Sequence, residues 1–98
     1  KQSLKIFNIY ILKSQNLLEY RKNIIISNEL LEVLDLTQYL IASNSKFNKK
    51  FCKFTNNVIN NAIKIFENTH FHDKNDSHIA KNVIKTLHNT NLSLDKII

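Results

Sequence analysis

From Lys46 to Asn68 the chain reads KFNKKFCKFTNNVINNAIKIFEN, and no other segment constrains it as tightly. Wound at about 100° per residue, Phe47, Phe51, Phe54, Val58, Ala62 and Ile65 fall on one narrow arc, with Cys52, Ile59, Ile63 and Phe66 beside it. A helix over 46–68 that is apolar around nearly half its circumference must pack against two neighbours. The flanking sequence supplies them. Ser27 or Asn28 offers an N-cap for a helix over 28–42, with Glu29, Glu32 and Asp35 placed where the helix dipole favours anions. Leu30, Leu31, Leu34, Tyr39, Leu40 and Ile41 form its apolar face, and Asn44 or Ser45 can cap the long helix that follows. Beyond a His70–Asn75 loop, Asp76 or Ser77 can cap a helix over 77–90 whose core face is Ile79, Ala80, Val83, Ile84 and Leu87. Leu4, Phe7, Ile11, Leu17 and Leu18 give a further helical spacing over 3–22, and Ser93 with Asp95 reads as the opening of another helix.

Composition removes the competing architectures. The 98 residues include no Gly, Pro, Met or Trp and a single Cys. Sandwiches and barrels of this size need tight turns that lean on Gly and Pro. Rossmann and P-loop sites need glycines so that backbone can approach phosphate. One cysteine supports neither an internal disulfide framework nor a cysteine-based zinc finger. No apolar run approaches the roughly 20 residues of a membrane span. The expectation is an all-α fold: antiparallel helical hairpins stacked as an α-solenoid-like repeat, a single unit over 1–98. Because the chain opens Lys1-Gln2-Ser3 and closes as a new helical pattern begins, we expect a piece of a longer protein.

A shift of 47 residues lays 31–51 over 78–98, pairing Val33 with Ala80, Leu36 with Val83 and Leu40 with Leu87. A true repeat of this kind would make each unit a helix pair that stacks on the next. Chance alignment of two amphipathic helices would look similar.

Charge is distributed unevenly. The net charge is +6, and the segment 46–66 carries Lys46, Lys49, Lys50, Lys53 and Lys64 with no acid. On the helical projection Lys46, Lys53, Asn57, Asn60 and Lys64 centre the polar arc, flanked by Lys49 and Lys50. Ammonium groups every one or two turns can neutralise successive phosphates, and asparagines between them can hydrogen-bond sugar or base edges. These seven residues are the candidate RNA-binding site. The plainer reading is a solvated helix face on a lysine-rich protein.

Other chemistry is sparse. His70, His72, Asp73, Asp76 and His78 are close in sequence but follow no known ligand spacing, so no metal site and no cofactor is expected. Cys52 lies on an apolar flank, where a thiol is inert packing. No arrangement of nucleophile, base and acid emerges, and an enzyme is not expected.

The series Ile79-Ala80, Val83-Ile84 and Leu87, followed by Asn91, Asp95 and Ile97-Ile98, resembles the degenerate heptatricopeptide or octotricopeptide-like repeats of apicomplexan RAP-domain organellar RNA-binding proteins. The resemblance covers about half the chain. It implies a helical-repeat protein of a mitochondrion or plastid that binds ribosomal or messenger RNA, as a component of an organellar, above all a mitochondrial, ribosome; apart from the resemblance the expected location is cytoplasmic. Other protein subunits of a larger complex are expected as partners, and the short apolar runs and lack of an enzyme constellation give no expectation of a membrane or a small-molecule substrate. Two rivals stay open on the residues alone: an Armadillo/HEAT-like protein-interaction scaffold, and a small four-helix-bundle regulatory module.

Overall fold

The computed structural model describes residues 20–71 and 73–98. They form α1 (Arg21–Ala42), α2 (Asn48–Glu67) and α3 (Lys74–Asp95), with no strand among the described residues. Helix α2 packs against both α1 and α3, while the backbones of α1 and α3 stay apart from each other. The expected helix over 3–22 lies almost wholly outside the described residues.

The inner strip of α2 consists of Cys52, Thr55, Ile59, Ala62, Ile63 and Phe66, all buried. Their spacing follows the helical period, so one face meets α1 and α3 together. Against this strip α1 places Ile26, Leu30 and Leu34, and α3 places Ala80, Val83, Leu87 and Leu94. Polar pairs are matched inside the same seam. Thr37 Oγ1 and Thr55 Oγ1 lie 2.8 Å apart, and each also donates toward a carbonyl one turn earlier, Val33 O at 2.7 Å and Phe51 O at 2.9 Å. Two hydroxyl protons serve three contacts, so the inter-helix bond and the back-bonds share them. Nearer the other end, buried Asn23 donates its amide to Thr69 Oγ1 at 3.2 Å, and Thr69 passes its own proton to Ile65 O at 2.6 Å.

The outer helices are tied together through side chains at one end. Tyr20 OH donates to Asp76 Oδ2 at 3.3 Å, with both residues buried. The Tyr20 ring sits 5.0 Å from Phe71, which in turn stacks 6.4 Å from Phe66. This aromatic cluster closes the bundle over the α2–α3 connection.

Several boundaries differ from the sequence expectation. Helix α1 begins at Arg21, seven residues before 28, and Ser27 is a fully buried interior residue rather than a cap. The capping preference of Ser and Asn loses to burial of Ile26 and the packing of Ile24 against the core. The true cap of α3 is Asp73, whose Oδ1 accepts from the Asn75 amide at 2.7 Å. Asp76 is buried one turn in. Helix α3 runs on through Asn91 to Asp95, so no new helix opens at Ser93. Asn91 bonds across to α2 and Leu94 is buried, which keeps the last turn packed.

The exit from α1 shows how a chain without glycine ends a helix. Asn44 takes φ 53°, a left-handed conformation that Asn tolerates. Ser45 N then donates to Leu40 O at 3.0 Å and Asn44 N to Ile41 O at 3.1 Å, the two bonds of a Schellman motif. Ser45 Oγ accepts from Phe47 N at 3.1 Å, so the expected role of Ser45 near the start of α2 is partly realised.

The 47-residue alignment does not survive. It would pair Leu36, 46 % exposed, with Val83, 1 % exposed. Helices α1 and α3, each 22 residues long, instead correspond at an offset of 53 residues, from Arg21 to Lys74 and from Ala42 to Asp95. At that offset buried Asn23, Ser27, Leu30 and Leu34 meet buried Asp76, Ala80, Val83 and Leu87. The sequences agree as well: Ile26-Ser27, Leu30-Leu31, Leu34 and Thr37 fall on Ile79-Ala80, Val83-Ile84, Leu87 and Thr90. One pattern therefore occurs twice, once on each side of α2.

Truncating Ile59, fully buried in the core cluster, to Ala is expected to cost about 2–5 kcal/mol in urea unfolding. Asn57→Ala, on the outward side of the same helix, should change stability by no more than about 0.5 kcal/mol. Equal effects at the two positions would contradict the burial assigned to α2.

Candidate nucleic-acid interface

Because α2 buries its inner strip on both neighbours, its opposite side becomes an uncovered ridge. Lys49, Lys50, Lys53, Asn57, Asn60 and Lys64 are all exposed, and Lys46 is exposed in the turn just before the helix. A rise of 1.5 Å per residue puts Lys53 and Lys64 roughly 16 Å apart along the axis. Among the described residues none of these five lysines makes an ion pair. Their charge is therefore not neutralised within the described protein.

The asparagines divide. Asn57 is exposed on the ridge. Asn60 lies nearer α3, where its Oδ1 accepts from Asn91 Nδ2 at 2.8 Å. One turn earlier Asn56 Nδ2 donates to Asp95 Oδ1 at 2.9 Å. Asn60 thus contributes to the α2–α3 seam as well as to the ridge, and Asp95 puts one negative charge on that flank.

Structure adds a residue that sequence reading missed. Lys22, on the first turn of α1, joins Asn61, Lys64, Ile65, Asn68 and Thr69 around a groove of about 340 Å³. Lys22 was expected to end a separate helix over 3–22. Only the antiparallel packing of α1 on α2 brings it beside Lys64, so no local signal could have revealed it. The basic surface accordingly widens at this end from one helix to two.

A second departure concerns the aromatic residues. The sequence projection put Phe47 and Phe54 on the core arc, yet they are 53 % and 50 % exposed. The projection merged two apolar strips. The inner one, centred on Ile59, is the core, and the outer one carries Phe47 and Phe54 beside the lysines. Thr55, a polar residue lying on the projection between Ala62 and Phe66, is fully buried and bonded to Thr37.

The remaining chemical candidates do not converge. His70 and His78 are exposed, Asp76 is engaged by Tyr20, and His72 lies outside the described residues. Among the described residues no three His, Cys, Asp or Glu side chains come together. A smaller cavity of about 180 Å³ between α1 and α3 is lined by Leu34, Thr37, Gln38, Ile41, Thr90 and Leu94, none of them ionisable. No helix among the described residues is long and apolar enough to cross a membrane.

Set beside known protein families, curated proteins and solved structures, the chain matches none of them.

Cys52 is wholly enclosed, and burial pushes its thiol above the ordinary range. A thiol raised in the folded state stabilises the fold below its unfolded pKa, and this contribution is lost as pH rises toward the folded value. Labelling by an aromatic disulfide at pH 8 should be far slower for the native chain than for the urea-unfolded chain. Fast native labelling would place Cys52 at the surface.

Proposed function

We propose that this chain is a non-enzymatic RNA-binding helical-repeat protein that meets RNA phosphates through the outer ridge of α2. The observation that carries the reading is the run Lys46, Lys49, Lys50, Lys53 and Lys64, exposed and without an ion-pair partner among the described residues. Asn57 and the outward part of Asn60 lie within reach of the same ligand, and Lys22 extends the contact onto α1. A polyanion is the ligand class that such a row of fixed positive charge favours.

The recurrence of one buried pattern on α1 and α3 supports an α-solenoid-like arrangement, in which antiparallel hairpins stack and further units extend the basic ridge. Exposed Tyr39 and Leu92, away from the ridge, favour contacts with other protein subunits of a larger assembly. Action in a mitochondrion, on ribosomal or messenger RNA within a ribosome, is proposed through the resemblance to RAP-type organellar repeats alone. The Armadillo/HEAT-like rival uses these same apolar side chains for a protein ligand and leaves the lysines as solubilising charge.

The two readings part on salt. If four or five lysines each neutralise a phosphate, affinity for single-stranded RNA should fall roughly 50- to 130-fold between 50 and 200 mM monovalent salt. The double variant Lys53→Glu/Lys64→Glu should abolish binding in a fluorescence-anisotropy titration while circular dichroism stays unchanged. Salt-insensitive binding, or a double variant that binds as before, would remove the ridge from the function.

A further inference from the structure

We infer that the RNA held on this face is unpaired, with one base stacked on Phe47 and another on Phe54. The inference rests on the RNA-binding reading above and adds to it the class of RNA.

Phe47 and Phe54 are the two aromatic residues that α2 and its leading turn leave half uncovered. Seven residues apart, they fall on the same side of the helix, about 10 Å from each other along the axis. The lysine ridge runs beside them. Lys46 Nζ lies 5.3 Å from the centroid of the Phe47 ring, and Lys50 and Lys53 precede Phe54 by four residues and one. Phe51, between the two, is only partly buried, and its ring lies 5.6 Å from that of Phe54, which helps hold the Phe54 ring in place.

A ring interleaved with ammonium groups offers a flat apolar platform next to fixed positive charge, the combination that single strands use. A duplex cannot use it. Its bases are covered on both faces by their neighbours, so no free π-face is left for a ring to stack on. An extended single strand can place two separated bases on the two rings while its phosphates follow the lysines.

The alternative occupant is an acidic amphipathic peptide, which would pair carboxylates with the lysines and bury apolar side chains on the rings. The ring spacing does not discriminate against it, but loss of affinity on replacing a ring by another apolar group does. A stacked base needs the flat π-face, whereas a peptide side chain accepts any apolar surface of similar size.

The test uses the full chain and four probes: a single-stranded 12-mer RNA, the same sequence as a duplex, heparin as a polyanion without bases, and an acidic amphipathic helical peptide. Variants are Phe47→Leu, Phe54→Leu and the ring-preserving Phe54→Tyr, each checked for unchanged helicity. Each leucine variant should bind single-stranded RNA roughly five- to a hundredfold more weakly and bind heparin as the parent does, whereas Phe54→Tyr should bind single-stranded RNA close to the parent. The parent should prefer the single strand to the duplex at equal salt. Leucine variants that retain full affinity for single-stranded RNA, or a parent that prefers the duplex, would overturn the stacking inference while leaving RNA binding intact. A parent that binds the peptide but no RNA would overturn both.

Discussion

Helix α2 is wedged between α1 and α3, and its inner strip from Cys52 to Phe66 has to satisfy both at once. Hydrophobic burial supplies most of that stabilisation, and the hydroxyl that the strip itself carries is matched across the seam. Thr55 finds Thr37, and Thr69, just beyond the helix, finds Asn23. Wedging has a geometric consequence. A helix covered on one side by two neighbours must present the opposite side outward, and on α2 that side holds lysines with no acid between Lys46 and Phe66. The exposed basic ridge is therefore the counterpart of the core rather than a separate feature.

Unlike the lysines, the polar residues at the seams carry structural duties. Asn56 and Asn60 reach Asp95 and Asn91 across the α2–α3 groove. Tyr20 and Asp76 join the outer helices where their backbones stay apart. Asn44 stands where most proteins would use glycine, closing α1 through a left-handed turn. An asparagine-rich composition thus serves three ends here: helix termination, inter-helix bonding and a hydrogen-bonding surface along the ridge.

The all-α class and the central place of α2 were legible in sequence because apolar periodicity survives any composition. Helix ends were less so. Ser27 and Asp76 carry the residue types of caps, but burial overrode that local preference in both cases. The correspondence between α1 and α3 was hidden because Ser27 reads locally as a cap that would start α1 late, whereas its counterpart Ala80 reads as core; both are buried. At the candidate site the lysines were readable from charge, but Lys22 was not, since it arrives from another helix. The exposure of Phe47 and Phe54 was also invisible, because a phenylalanine on a helical projection looks the same whether a neighbour covers it or not.

The claim that the outward ridge of α2 is where a polyanion binds is tested most directly by lysine-selective acylation with and without saturating single-stranded RNA, read residue by residue by mass spectrometry. Protection should concentrate on Lys46, Lys49, Lys50, Lys53 and Lys64, with Lys22 following, while Lys74, Lys81, Lys85 and Lys96 on and after α3 keep their reactivity. Protection spread evenly over all lysines, or concentrated on α3, would contradict it.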